Sequence, residues 1–80
     1  DMTQRALLGR IVHDPKICGG SATIRGTRIE VQEVLDSLAA GMTAEAIVDN
    51  LPSLQIEDVQ ACLTYAAEVC REQVWKVATA

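Results

Sequence analysis

The spacing of hydrophobic residues changes at Val31, which divides the chain into two kinds of predicted structure. Before it, the segments 10–12 and 23–31 are short and rich in β-branched residues, and turn-forming residues such as Asp14-Pro15 lie between them. Short segments of this composition, bounded by turn signals, are typical of strands. We therefore predict a small β element in the first third of the chain.

One turn within this element is predicted in detail. In the segment Ile24-Arg25-Gly26-Thr27, glycine occupies the third position, where a type II turn requires a positive φ. A two-stranded element is marginal in water by itself. It must therefore pack on the helices or pair with another chain.

After Val31 the apolar residues recur every three to four positions, which predicts helices. The first helix carries its apolar face at Val31, Val34, Leu35, Leu38 and Ala39. Gly41 ends it, and Thr43 is a good N-cap for the second helix. The second helix has its apolar stripe at Ala44, Ile47, Val48 and Leu51, and Leu51-Pro52-Ser53 ends it.

A third, longer helix is predicted from about Ile56 to about Lys76. Its predicted apolar side consists of Ile56, Val59, Leu63, Ala66, Ala67, Cys70 and Val74. Only a few residues separate it from the second helix, which is the spacing of a helix-turn-helix.

These elements predict a mainly α fold, in which a short N-terminal β element precedes a three-helix, homeodomain-like helix-turn-helix bundle. We place this single domain at residues 10–76, between an N-terminal tail (1–9) and a C-terminal tail (77–80). A chain of 80 residues buries a modest core, so self-association is an expected source of further burial. The core must be aliphatic, because Tyr65 and Trp75 are the only aromatic residues.

The three cysteines, Cys18, Cys62 and Cys70, have neither an even number nor a metal-binding spacing. They predict a reduced, cytoplasmic protein without a metal site. We recognise no signal peptide and no apolar run long enough to span a bilayer. We therefore expect no contact with a membrane.

The net charge of −4 conceals an asymmetry along the chain. Residues 1–28 contain five basic and two acidic residues, for a charge of +3, whereas residues 29–80 contain two basic and nine acidic residues, for −7. Contacts with phosphate are therefore expected from the N-terminal third.

Two classes of site are disfavoured by the sequence. A phosphate-binding loop of the G-x-x-x-x-G-K-[ST] type is not matched, because the spacing from Gly20 to Gly26 is one residue too long and no lysine follows. His13, Asp14 and Cys18 are near one another in sequence, yet His13-Asp14-Pro15 also has the composition of a turn. We predict no enzymatic activity and no cofactor.

Binding to DNA has mixed support. The helix-turn-helix spacing favours it, but the start of the third helix carries Glu57 and Asp58, and carboxylates there repel phosphate. We therefore predict that Arg10, Arg25 and Arg28 carry any contact with DNA. The alternative for each arginine is a solvated charge or an ion pair with the acidic helices.

Near the end of the chain, Trp75 is a candidate partner-binding residue, because tryptophan is enriched at the centres of protein interfaces. The alternative is that Trp75 covers one end of the aliphatic core.

From Arg10 to about Glu68 the chain resembles the domain-of-unknown-function 433 family. The most specific element is the segment IRGTRI at residues 24–29, followed by Val31. Further support comes from the helix break AGMT at residues 40–43, from Leu51-Pro52, and from the helix start EDV at residues 57–59.

The resemblance implies an antitoxin-like helix-turn-helix protein, often a homodimer, that is paired with a PIN-like ribonuclease toxin and binds its own operator DNA. Two positions depart from the family pattern: Ser21-Ala22 replaces a frequent Lys-Pro, and Gln55 replaces a frequent threonine at the last helix start. The missing lysine removes one basic group from the expected contact region. The alternative function is a protein-interaction module of the same shape with no role in nucleic-acid binding.

Overall fold

Residues 3–72, the part of the chain that the computed structural model describes, form four α-helices and two short strands, with a short 3₁₀ turn at Cys18–Gly20 between the strands. In chain order these elements are α1 (Gln4–Leu8), β1 (Ile11–His13), β2 (Ala22–Ile24), α2 (Val31–Ala39), α3 (Ala44–Asn50) and α4 (Ile56–Glu72). The predicted mainly α class with a small β element is confirmed. The three predicted helices correspond to α2, α3 and α4, and α1 was not predicted.

The two strands form an antiparallel pair in which Ile11 lies opposite Ile24 and His13 opposite Ala22. The chain then turns and runs back along the other side of β2, where Thr23 bridges to Glu30. The strands pack on α2 and α4. The β element therefore obtains its support from the helices of the same chain.

The ends of α2 and α3 are explained by local hydrogen bonds and one glycine. The Glu33 carboxylate accepts a hydrogen bond from the Glu30 amide at 3.2 Å, at the start of α2. Gly41 follows the end of α2 with a φ of 99°, which favours glycine over other residues. The Thr43 hydroxyl accepts from the Ala46 amide at 3.1 Å and caps α3, as the sequence predicts.

The core is aliphatic, as predicted, and lies between the β element and helices α2, α3 and α4. Its buried members come from every part of the fold after β1: Ile24, Val31, Val34, Ile47, Leu54, Val59 and Cys62.

The predicted apolar side of α4 was wrong at several positions. The buried residues of this helix are Asp58, Val59, Ala61 and Cys62, whereas Leu63 is 50% exposed. Ala67 and Cys70 are also exposed. Since α4 is apolar on more than one side, its spacing does not determine which side faces the core. The packing of α1, α2 and β1 on the helix decides it.

Residues 4–8, which the sequence analysis placed in an N-terminal tail, form α1. The Thr3 hydroxyl caps this helix by accepting from the Ala6 amide at 3.1 Å. α1 packs against α4 and buries Leu7. Gln4 also donates a side-chain hydrogen bond to Glu68 of α4.

None of the helices within residues 3–72 has the length and the apolar character that crossing a bilayer requires.

Candidate nucleic-acid interface

The segment 24–28, called the basic turn below, is closed by hydrogen bonds at its base. The Thr27 amide donates to the Ile24 carbonyl at 3.0 Å, and Gly26 has a φ of 81°. Both features are those of the predicted type II turn. The Thr27 hydroxyl donates to the same Ile24 carbonyl at 2.7 Å and accepts from the Ile29 amide at 3.0 Å. The polar side chain of Thr27 is thereby directed into the turn, whereas Arg25 and Arg28 are exposed.

Arg25 is anchored to the segment that precedes β1. Its amide donates to the Arg10 carbonyl at 2.8 Å, and its side-chain Nε donates to the Gly9 carbonyl at 3.0 Å. Within residues 3–72 the two terminal nitrogens of this guanidinium have no hydrogen-bond partner. They are the donors that an external anion would meet.

Arg10 is engaged within the fold. Its Nη1 lies 3.0 Å from the Asp58 carboxylate, whose side chain is only 9% exposed, and the Arg10 side chain itself is 33% exposed. The other carboxylate oxygen of Asp58 accepts from the Gln55 amide at 2.8 Å. Asp58 therefore binds a cation and a backbone amide at the start of α4 at the same time.

This arrangement changes the electrostatic interpretation of the α4 start. From the sequence, Glu57 and Asp58 are two free carboxylates there, but in the structure the Asp58 charge is buried and compensated by Arg10. The same contact limits how freely Arg10 can bind an external phosphate. The structure thus leaves Arg25 and Arg28 as the more available of the three predicted DNA-binding residues, and contact with DNA remains a prediction for all three.

The structure does not bring His13 and Cys18 into a nucleophile–base pair. His13 Nδ1 lies 2.9 Å from the Gly20 carbonyl and Nε2 lies 3.1 Å from the Tyr65 hydroxyl. A carbonyl only accepts, so Nδ1 carries the proton, and in the neutral ring Nε2 accepts from Tyr65. The Cys18 thiol instead donates to the Arg28 carbonyl at 3.5 Å.

The region of His13 has a structural role. The bond to Tyr65 attaches the end of β1 to α4, and the Asp14 carboxylate accepts from the Lys16 amide at 2.9 Å, as expected for a turn. Among residues 3–72, no three histidine, cysteine or acidic side chains are arranged to hold a metal ion.

Cys62 is a buried thiol next to the ion pair. Burial, and secondarily the nearby negative charge of Asp58, raise the pKa of this thiol from 9.0 to about 11. The thiol is therefore protonated and unreactive at neutral pH. The cysteines within the described residues, Cys18, Cys62 and Cys70, are all free.

Acidic residues dominate the outer surfaces of α2 and α3. Glu33, Asp36, Glu45 and Asp49 are all exposed. Within residues 3–72 none of these four forms an ion pair with a basic side chain. Their charge is available to a basic partner.

A groove of about 530 Å³ lies between α2, β2 and α4. Its walls include Val31 and Leu35 on one side and Tyr65, Ala66 and Val69 on the other. The exposed Leu63 lies on the same helix as the second wall. The groove and the exposed Leu63 both place apolar side chains at the surface of α4.

The alternative of an ion pair with the acidic helices is confirmed for Arg10, but neither Asp58 as its partner nor the anchoring of Arg25 was predicted. The Arg10–Asp58 contact joins residues 48 positions apart, and the Gly9 carbonyl that binds Arg25 is part of a peptide group. Neither produces a periodic or motif signal. The predicted partner-binding residue Trp75 lies outside the described residues.

Comparison with known proteins gives a family and no activity. A curated protein of Sinorhizobium fredii (strain NBRC 101917 / NGR234), the uncharacterized protein y4eO, is 38% identical over 56 residues, which are 70% of this chain. The match covers 25% of y4eO, so the chain spans about a quarter of the length of that relative. No solved structure gives a significant match. The sequence model described as "Protein of unknown function (DUF433)" matches residues 11–66, and the chain therefore belongs to the DUF433 family.

Proposed function

We propose that the chain is an antitoxin-like DNA-binding regulator, which acts as a homodimer in the cytoplasm, binds its own operator and neutralises a PIN-like ribonuclease toxin. The observation that carries the proposal is the separation of charge on the surface. Arg25 and Arg28 are exposed together on the basic turn, whereas four of the five exposed carboxylates within residues 3–72 lie on α2 and α3. One protein can thus offer a cationic surface to DNA and an anionic surface to a nuclease.

The connection between α3 and α4 supports a helix-turn-helix arrangement. Only residues 51–55 separate the two helices, which suits a homeodomain-like pair. The start of α4 exposes the amide side chains of Gln55 and Gln60 but also carries the half-buried Glu57. We therefore assign the main contact with phosphate to the basic turn, and a weaker one to Arg10.

A dimer would overcome the small size of each basic surface. Two arginines neutralise few phosphates, so a single turn binds weakly. Two turns held on one duplex by a symmetric dimer bind more tightly, because the second contact is intramolecular. The free cysteines of the described residues suit the reducing cytoplasm in which such a regulator would act.

The acidic surface of α2 and α3 is the proposed contact for the toxin. A ribonuclease presents a basic groove to RNA, and Glu33, Asp36, Glu45 and Asp49 offer charges of the opposite sign.

The test uses the DNA upstream of the gene for this chain and the product of the neighbouring gene. Fluorescence anisotropy at several salt concentrations should show binding that weakens as salt rises. The double variant Arg25→Gln, Arg28→Gln should reduce the affinity at least tenfold. The matched control is Arg71→Gln, which removes an exposed arginine that pairs with Glu68 at 2.6 Å. No affinity at low salt, with or without the neighbouring product, refutes the DNA-binding part.

The second candidate is a protein-interaction module without a role in DNA binding. The exposed Leu63, together with the apolar groove beside α4, favours it. The charge reversal Glu57→Lys separates the two functions and leaves the Arg10–Asp58 contact intact. Weaker binding to the protein partner supports the interaction module, whereas stronger binding to DNA indicates that α4 lies against the duplex.

A further inference from the structure

We propose that the basic turn enters the minor groove of A·T-rich duplex DNA, with Arg25 as the side chain that reaches the floor of the groove. This inference rests on the DNA-binding part of the proposed function. It adds the groove, the class of base pair and the residue that recognises it.

The shape of the turn suits a narrow groove. Two hydrogen bonds from Thr27 to the Ile24 carbonyl close its base, so the chain doubles back within a few residues. At its tip, Gly26 is exposed, and a Cβ placed there would meet no atom within 4 Å. The minor groove is about 6 Å wide, whereas the major groove, about 12 Å wide, accommodates a whole helix. A tight turn with glycine at its tip is narrow enough for the minor groove.

The chemistry of Arg25 suits the same groove. The bond from Nε to the Gly9 carbonyl restrains the side chain, so less conformational entropy is lost when it binds. Its two terminal nitrogens remain as donors, and the floor of an A·T minor groove presents only acceptors, adenine N3 and thymine O2. Narrow A·T tracts also concentrate negative potential, which attracts arginine. A G·C pair places the guanine 2-amino group, a donor, in the path of the guanidinium.

The competing geometry is recognition of the major groove by α4. Gln55 and Gln60 are exposed, and glutamine can bind adenine there. However, the same helix carries Glu57 in its first turn, and its exposed side continues with Leu63 and Ala67, which donate no hydrogen bonds. The basic turn therefore offers the better set of donors.

The experiment compares three duplexes of equal length whose central base pairs are A·T, G·C or inosine·C. Inosine lacks the 2-amino group of guanine, so the inosine·C duplex has the minor-groove pattern of A·T and the major-groove acceptors of G·C. Binding is measured by fluorescence anisotropy at low salt with the full chain. We expect equal affinities for the A·T and inosine·C duplexes, and affinity for G·C lower by about tenfold, the effect of one base contact.

Two further measurements assign the contact to Arg25. Netropsin, which occupies the A·T minor groove, should displace the protein, whereas methyl green, which occupies the major groove, should not. Arg25→Gln should remove the preference for A·T over G·C, and Arg71→Gln should retain it. Circular dichroism of each variant confirms that the fold is kept.

The outcomes distinguish this inference from the proposed function. If the inosine·C duplex behaves like G·C and methyl green displaces the protein, the minor-groove contact is wrong and DNA binding itself stands. If no duplex binds at low salt, both are wrong. If an Arg25→Gln protein that binds DNA keeps the A·T preference, another residue makes the contact, and the inference is wrong.

Discussion

At the scale of single residues, the Asp58 side chain has two roles, an ion pair and a helix cap, that a single substitution can separate. Asp58 compensates the charge of Arg10 and also binds the Gln55 amide at the start of α4. A buried carboxylate with both partners is costly to remove, although the partial exposure of Arg10 moderates the cost.

We expect Asp58→Ala to lower the free energy of unfolding by about 2 kcal/mol, because it removes both the ion pair and the cap. Asp58→Asn retains an oxygen for the Gln55 amide and should cost about half as much. Urea denaturation followed by circular dichroism measures both. The control is Glu57→Gln, a change in the same first turn, which should cost less than about 0.5 kcal/mol. Equal losses for Asp58→Asn and Glu57→Gln would contradict the proposed role of the ion pair.

The raised pKa of the Cys62 thiol predicts a loss of stability at alkaline pH. Between pH 9 and about 11 the unfolded chain loses the Cys62 proton while the folded chain keeps it. The free energy of unfolding should therefore fall as pH rises through this window, by up to about 1.4 kcal/mol for each pH unit, and Cys62 should contribute no pH dependence below it.

Urea denaturation from pH 8 to pH 11 measures this fall. Cys62→Ala lowers stability at every pH by leaving a cavity, but its decline between pH 9 and 11 should be shallower than that of the unmodified protein. Cys70→Ala, at an exposed position, is the control and should keep the steeper decline. The same slope in both variants would contradict the assignment to Cys62.

At the scale of secondary-structure elements, α1 is a short helix whose stability depends on its contact with α4. A helix of five residues is marginal by itself, and Leu7 is its only buried residue. The sequence offers no apolar period over so short a segment, which is why α1 was not predicted.

We expect Leu7→Ala to lower the free energy of unfolding by about 2 kcal/mol and to release α1 from α4. The amides of α1 should then exchange with solvent at the rate of an unfolded peptide, as hydrogen exchange measured by NMR can show. Arg5→Ala, an exposed change in the same helix, should leave both quantities nearly unaltered. Protected α1 amides in Leu7→Ala would show that other contacts hold the helix.

The remaining elements show that caps and turns can be predicted from the sequence, whereas long-range packing cannot. Caps and turns such as Thr43 and Gly26 were predicted correctly because their chemistry is local. The buried side of α4 was predicted incorrectly because apolar residues recur at helical spacing on two sides of this helix. Which side is buried depends on packing against elements that are distant in sequence. Within the candidate site, the exposed arginines of the turn followed from local pattern, but the partners of Arg10 and Arg25 required the fold.

At the scale of the whole molecule, the side of α4 that exposes Leu63 gives a means to test self-association. Leu63 is half exposed, so a charged substitution there alters the surface and leaves the core intact. If the chain forms a dimer through this side of α4, a carboxylate at the contact is costly to desolvate.

We expect Leu63→Glu to weaken dimerisation at least tenfold, as measured by analytical ultracentrifugation over a range of concentrations. The control is Asn50→Asp, which adds the same charge at an exposed position on α3. The thermal midpoint of an isolated protomer should change little in either variant. A dimer that tolerates Leu63→Glu would place the interface elsewhere on the surface.

Gly9 and Arg10 are adjacent residues that connect the basic turn to the start of α4. The Arg25 side chain donates a hydrogen bond to the Gly9 carbonyl. The side chain of Arg10, the next residue, forms the ion pair with Asp58 at the start of α4. A ligand bound by the two terminal nitrogens of Arg25 further restrains the Gly9–Arg10 segment, and the Arg10–Asp58 contact beside it should become more stable. The Gln55 amide donates to Asp58, so its rate of deuterium uptake would report whether a ligand occupies the basic turn, even if the ligand does not contact Gln55.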